Sequence, residues 1–210
     1  MVRFSLWERE TVGSIPALPT INFMDESRQK YNLIIGRHVP VKSPFFLLGA
    51  VQEAVSYEAN SLMIFLGAPQ NSYRRNLTEL KALEFKQALI ENKIGINNVI
   101  VHAPYILNLA NTINKNIFNW SVEFLKEEIN RMEKIGLETI VLHPGSVLSA
   151  ELEKGLVQVS QGLNWVLQAN STTRIALETM CGRKGEVGGS FEQLKYIIDR
   201  VEQKERVGVC

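Results

Sequence analysis

The three histidines of the chain stand at the ends of short apolar runs, where parallel strands would present side chains to a metal. His38 follows LIIGR, His102 follows NVIV and His143 follows TIVL, while Glu178 follows a further run, RIAL. In a parallel barrel the carboxyl ends of the strands form one catalytic face. Two imidazoles and one carboxylate suit zinc most directly, with manganese and iron as alternatives. The sequence therefore predicts a metal site formed by His102, His143 and Glu178.

Each of these residues also has a simpler interpretation. His38 alone fits a core or loop histidine, and Glu178 fits a surface glutamate that caps the following helix. Burial favours the metal, because a carboxylate directly after an apolar run would carry a costly unpaired charge. The prolines in HAPY and HPGS favour extended backbone in the residues before them, which would hold His102 and His143 at the strand ends.

The elements that carry these residues alternate between strand and helix. Six apolar runs predict strands, namely LIIGRHV, SLMIFLGAP, NVIVHAPY, TIVLHPGS, RIALETM and RVGVC. Continuous apolar runs separated by helices are typical of a parallel sheet covered by helices, the α/β class. The runs recur at intervals of roughly 30 to 40 residues, which fits a TIM-type (β/α)8 barrel. The first run is followed by GRHVPVKS rather than GxGxxG, which argues against a dinucleotide-binding fold.

Helix signals lie between the runs. We expect Thr78 to cap one helix and Ser190 to cap the last one. The apolar face predicted for the longest helix comprises Ile117, Trp120, Phe124, Ile129 and Met132. Arg74, Arg75 and Lys81 are interpreted as a solvated approach to a helix, with phosphate contact as the alternative. The glycine-rich stretch 182–189 is interpreted as a mobile loop at the rim.

The number of units falls short of a closed barrel. Residues 32–210 supply about five strand–helix units and the start of a sixth strand, whereas a closed barrel of this type has eight. We therefore predict an incomplete barrel domain over 32–210, preceded by a poorly patterned extension over 1–31, with Met24 as a hypothetical natural start. Open edges favour a fragment or a partner that covers the edge.

Composition excludes several classes. The 210 residues are 45% hydrophobic, and 23 Lys plus Arg against 22 Asp plus Glu leave a net charge of +1. Nucleic-acid contact must therefore depend on a local patch. Two cysteines argue against a disulfide framework. No run approaches the roughly 18 apolar residues of a membrane span, and the first 31 residues lack a signal-peptide core. We expect a soluble, cytoplasmic protein with no membrane partner.

At these residues the sequence resembles the endonuclease IV family, metal-dependent abasic-site endonucleases of DNA base-excision repair. The similar pieces include IIGRHV, GAPQN, VHAPYILNLANT, VLHPGS, ALETM and RVGVC, within about residues 33–210. The resemblance implies an eight-stranded barrel with up to three zinc ions. It also implies a phosphodiesterase that cuts 5′ to an abasic site, leaving a 3′ hydroxyl and a 5′ deoxyribose phosphate. The implied partner is double-stranded DNA containing abasic sites.

The resemblance also assigns metal ligands. His102 and His143 match terminal ligands of one zinc, and Glu178 matches the catalytic carboxylate that bridges this zinc to its neighbour. Family members continue past VGVC with a DTCH motif and further ligands for the second and third metals, which are not among these 210 residues. We therefore expect the chain alone to be weakly folded, with little or no nuclease activity.

Five further residues match positions that contact DNA. Tyr105 and Ile106 match a loop pair that is pushed into the duplex, and Gln70 and Asn71 match a second minor-groove loop. Some members carry arginine in place of Asn71. His38 matches a histidine that contacts the substrate. The family implies a monomer, with association through an open edge as an alternative for this chain.

Two other functions stay open. One is an inactive fragment or a non-catalytic module that binds a partner. The other is a sugar-isomerase-like metal barrel that acts on small polyols. The long, apolar-tipped loop HAPYILNLANT favours a duplex reader over the polyol enzyme.

Overall fold

The protein folds around one parallel sheet, seen in a computed structural model that describes residues 33–168, 172–183 and 185–210. Within these ranges six strands are paired in chain order, each parallel to the next. The strands are β1 (Gly36–His38), β2 (Ser61–Ile64), β3 (Val99–His102), β4 (Thr139–Leu142), β5 (Arg174–Leu177) and β6 (Val207–Val209). The predicted parallel α/β arrangement is confirmed. The extension predicted over 1–31 and Met24 lie outside the described residues.

Helices connect successive strands across the described part of the chain. They are α1 (Phe46–Ser56), α2 (Ala82–Glu91), α3 (Lys115–Lys134), α4 (Leu152–Leu167) and α5 (Phe191–Asp199). Short 3-10 turns lie at Leu77–Leu80, Ile96–Asn98 and Lys204–Arg206. Each unit is a strand, a loop and a helix, so five units and a sixth strand form an incomplete TIM-type barrel. No helix within the described ranges is long and apolar enough to cross a membrane.

The core fills the space between the sheet and the helices. Ile64, Val101 and Ile140, on three neighbouring strands, are fully buried. All four residues of β2 are buried, as expected for a parallel strand that is covered on both faces. This packing fixes the strand ends, and the strand ends carry the candidate ligands.

Of the two helix caps predicted from the sequence, one is confirmed and the other is wrong. Ser190 caps α5, since its side chain accepts a hydrogen bond from the backbone N–H of Gln193. The prediction that Thr78 caps a helix is wrong. Asn76 caps a 3-10 turn by accepting from the N–H of Thr78, and the left-handed Lys81 separates that turn from α2.

The buried face of α3 also differs from the predicted one. Ile117 and Trp120 are exposed at 39% and 40%. The apolar residues that the helix buries are Phe118, Val122, Phe124, Leu125, Ile129 and Met132. Phe118, Val122, Leu125, Ile129 and Met132 follow the spacing of three and four residues that one helix face requires. The predicted face was therefore turned by about one position in the first half of the helix.

Candidate metal centre

The three predicted metal ligands come together at one edge of the sheet. His102 is the last residue of β3, His143 directly follows β4 and Glu178 directly follows β5. Their nearest ligand atoms all lie within 4.8 Å of one another. The Nε2 atoms of His102 and His143 are 2.9 and 3.0 Å from Oε2 of Glu178. Parallel pairing of the three strands is the reason that residues so distant in sequence meet.

The donor set fits a cation. His102 Nδ1 lies 2.7 Å from the carbonyl oxygen of Ala103, and because a carbonyl only accepts, this contact assigns the ring proton to Nδ1. With Nδ1 protonated, Nε2 either carries a second proton toward Oε2 of Glu178 or directs a lone pair at it. Two acceptors at this distance require a proton or a metal ion between them, and the residues present therefore suit a metal.

When protons rather than a metal ion lie between the histidines and Glu178, hydrogen bonding keeps Glu178 ionised. Hydrogen bonds from His102 and His143 outweigh the effect of burial and lower the pKa of Glu178 to about 2. Its side chain is 35% exposed, whereas that of His102 is almost fully buried. The site therefore combines a charged carboxylate with access from one side.

A band of aromatic rings surrounds the imidazoles. The ring of Phe65 lies 4.7 Å from that of His38 and 4.9 Å from that of His102, and Tyr105 contacts both Phe65 and His143. Sequence reasoning missed Phe65 because SLMIFLGAP has the pattern of an ordinary core strand. Its position in the sequence could have indicated a place at the site, because Phe65 directly follows β2 as His143 directly follows β4.

His38 lies beside this band but is not one of the three convergent ligand residues. Burial, and to a lesser degree the neighbouring His102, lower the pKa of His38. A lowered pKa favours the neutral imidazole at physiological pH.

The predicted DNA-contacting residues lie on two adjacent loops at the same edge. Gln70 and Asn71 are exposed on the loop after β2, and Tyr105 is half exposed on the loop after β3. Ile106 is partly buried against the core. The N–H of Tyr105 donates to the carbonyl of Pro69 over 3.0 Å, so the two loops are joined directly.

Further hydrogen bonds join the next loops. The Asn108 side chain accepts from the N–H of Ser146 and donates to its carbonyl, at 2.9 Å each. Gly145 has a φ of +112°, and a Cβ there would lie 2.3 Å from Oδ1 of Asn108, so this position requires glycine. The N–H of Val147 donates to the carbonyl of Gly185. The glycine-rich loop expected to be mobile is thus hydrogen-bonded to its neighbour.

The interpretation of Arg74 as a solvated residue is wrong. Its side chain is 3% exposed and pairs with the equally buried Glu128 of α3. Arg75, by contrast, is half exposed and pairs with Glu79 on the surface, in agreement with the sequence. Lys81 is partly buried, with its ammonium 5.6 Å from the ring of Phe45.

Comparison of sequences gives close matches. A family model described as xylose isomerase-like TIM barrel matches residues 51–210. A relative named probable endonuclease 4, from Mesoplasma florum, is 45% identical over 181 residues, which are 84% of this chain and 62% of that protein. The protein of the same name from Bacillus subtilis is 46% identical over 178 residues, 85% of this chain and 59% of that one. The chain thus spans about three fifths of the length of these curated relatives.

Solved structures share the fold. Endonuclease IV from Thermus thermophilus superposes with a TM-score of 0.64 at 21% identity, over 80% of this chain and 60% of that one. A D-tagatose 3-epimerase-like protein gives a TM-score of 0.62 at 19% identity, over 83% and 64%. Nucleases and sugar epimerases therefore share this architecture, and the choice between their activities depends on the site.

Proposed function

The chain belongs to the xylose isomerase-like TIM barrel family, and we propose that it is a metal-dependent DNA repair endonuclease that cuts the backbone 5′ to abasic sites. The observation that carries the proposal is the convergence of His102, His143 and Glu178 beside the loop of Tyr105. The relatives that are 45% and 46% identical bear the name endonuclease 4. Substrate, product and partner are inferences from this combination.

We assign zinc to the site. Two imidazoles and a carboxylate, with one side open, are the ligand set of a catalytic zinc. When bound, such an ion supplies Lewis-acid chemistry to the scissile phosphate. His102 and His143 would hold it through Nε2, the atoms that converge on Glu178. Glu178, whose Oε2 faces both histidines, would be the third ligand and would supply negative charge to the ion.

The two joined loops supply recognition of the damaged nucleotide. An abasic nucleotide has no base to unstack, so turning it out of the duplex costs less than turning out an intact one. Tyr105 is exposed enough to enter the space that the missing base leaves. Ile106 is packed against the core, so its entry into the duplex requires the loop to move. Gln70 and Asn71 are exposed on the neighbouring loop, which supports a role for them in contacting the groove.

Incision of a duplex with one abasic site tests the proposal. We would measure binding and cutting by the purified 210-residue chain, with chelator, and with zinc added back. Preference for abasic over intact duplex, with zinc-dependent cutting on the 5′ side, would support the full proposal. Preference without cutting would limit this chain to recognition. Equal affinity for both duplexes would overturn it, whereas the absence of cutting alone would not, since this chain is expected to have little or no nuclease activity.

A further inference from the structure

A buried ion pair links helix α3 to the loop that follows β2. Arg74 Nε donates to Oε1 of Glu128 over 2.6 Å, and the two side chains are 3% and 1% exposed. The guanidinium also lies 4.9 Å from the ring of Phe124, on the same helix. Neither charge takes part in the metal centre.

The pair is incompletely satisfied. Within the described part of the chain, Nη2 of Arg74 and Oε2 of Glu128 are buried without a hydrogen-bond partner, as is Nε of Arg131, which lies 3.9 Å from Oε1 of Glu128. A buried ion pair contributes net stability only when its remaining polar atoms are also satisfied. Stability is therefore a poor explanation for this ion pair. A better explanation is that the guanidinium positions the groups to which it is hydrogen-bonded.

Arg74 holds the backbone of the loop. Its Nη1 donates to the carbonyls of Tyr73 and Asn71 over 2.8 and 3.0 Å, with that of Ala68 at 3.5 Å. With these carbonyls turned toward the guanidinium, the side chains of Gln70 and Asn71 remain exposed. One buried side chain thus holds three backbone carbonyls of the segment that we propose to contact DNA.

The same helix also holds the segment after the loop. Nη2 of Arg131 donates to the carbonyl of Arg75 over 2.7 Å. On the other side, the carbonyl of Pro69 accepts the N–H of Tyr105. The position of Tyr105 therefore depends on the loop, and the loop depends on α3.

Gly67 leaves space for the guanidinium of Arg74. A Cβ at Gly67 would lie 2.7 Å from Nη1 of Arg74. The planar fork of arginine can donate to a carboxylate and to carbonyls at once, whereas a lysine presents a single ammonium.

We propose that Arg74 and Glu128 are positioning residues that fix the two DNA-contacting loops relative to each other. The proposal rests on the proposed function for its consequence in DNA binding, and on the geometry alone for its consequence in loop order. Both consequences can be measured on the same chain.

The first experiment uses conservative variants. Arg74→Lys and Glu128→Gln are compared with Glu79→Gln, which removes the acid of an exposed Arg–Glu pair in the same segment. Affinity is measured without metal, on a duplex that carries an uncleavable abasic analogue. We expect Arg74→Lys to weaken binding about tenfold and Glu128→Gln less, because hydrogen bonds to charged groups are lost, with Glu79→Gln unchanged. Zinc affinity should be the same in all variants.

A double variant separates positioning from stability. Arg74→Met combined with Glu128→Leu removes both charges of the 2.6 Å pair, and such replacements are often neutral or stabilising. Arg131, whose Nε lies 3.9 Å from Oε1 of Glu128, keeps its hydrogen bond to the carbonyl of Arg75 in this variant. We expect an unchanged or higher unfolding midpoint together with weakened binding of the abasic duplex. An unchanged affinity in this variant and in Arg74→Lys would overturn the proposal.

Amide hydrogen exchange tests loop order without DNA. We expect the amide of Tyr105 to exchange about tenfold faster in Arg74→Lys, because its acceptor at Pro69 is no longer held. Unchanged exchange overturns the positioning role. If the parent chain shows no preference for abasic duplex, the proposed function fails, and faster exchange still supports the positioning role.

Discussion

Glu178 and Glu128 are carboxylates of one molecule in opposite electrostatic situations. Glu178 lies at the open edge of the sheet, where hydrogen bonds from His102 and His143 lower its pKa to about 2. Glu128 lies in the interior, where burial raises its pKa against the opposing effect of Arg74. Glu178 is charged and partly exposed, and it is the carboxylate that we propose to hold the metal. Glu128 is buried, and its role is to hold the Arg74 guanidinium in place.

The largest expected difference between Glu128 and Glu178 is in their contribution to the free energy of unfolding. Glu128→Ala leaves the Arg74 guanidinium buried without its partner, which is expected to cost about 3–5 kcal/mol of the free energy of unfolding. Glu178→Ala in the metal-free chain is expected to cost less than about 1 kcal/mol, because its side chain is partly exposed. Denaturant unfolding of the two variants measures both values. Equal losses of unfolding free energy in the two variants would show that burial does not distinguish the two carboxylates.

The second difference is in zinc affinity, for which Glu178 is expected to matter more than Glu128. Glu178→Gln removes the charge of a proposed metal ligand and is expected to weaken zinc binding by at least about 100-fold, since even groups that only support a ligand contribute 10–100-fold. Glu128→Gln is the matched control and should leave zinc affinity unchanged. Calorimetric titration with zinc measures both. Retained affinity in Glu178→Gln would remove it from the ligand set.

A smaller effect concerns the rim beside Glu178. Tyr105→Glu places a negative charge where the DNA backbone and stacked bases would approach, and it is expected to weaken binding of abasic duplex by about tenfold or more. Adding Ile106→Glu should abolish binding. Leu83→Glu adds the same charge at an exposed position on α2 and serves as the control. If the chain is instead a polyol enzyme, charging Tyr105 and Ile106 leaves DNA binding unaffected.

The smallest effect is the response to acid. Because the pKa of Glu178 is lowered to about 2 in the folded chain, its contribution to stability is complete above pH about 4.5 and is lost as the pH falls toward 2. Screening at this partly exposed position limits the contribution to about 1 kcal/mol. The raised pKa of Glu128 acts in the opposite direction, since it favours the folded state at low pH. Acid unfolding of metal-free Glu178→Gln should lack the Glu178 component.

The sequence was sufficient where a local pattern decides the structure. Apolar runs predicted the six strands, and the residue after each run predicted where His102, His143 and Glu178 meet. It was insufficient where a contact joins distant segments. Arg74 has the pattern of a surface residue because its partner, Glu128, lies 54 positions further on. Thr78 failed as a cap because Asn76 offers a side-chain acceptor two residues earlier.

The rim loops are hydrogen-bonded to one another in series. Pro69 is joined to Tyr105, Asn108 to Ser146, and Val147 to Gly185. In most barrels of this type, loops vary separately while the scaffold stays the same. Here an insertion at one loop would displace an acceptor that the next loop needs. We therefore expect a change of substrate specificity to require coordinated changes in several of these loops.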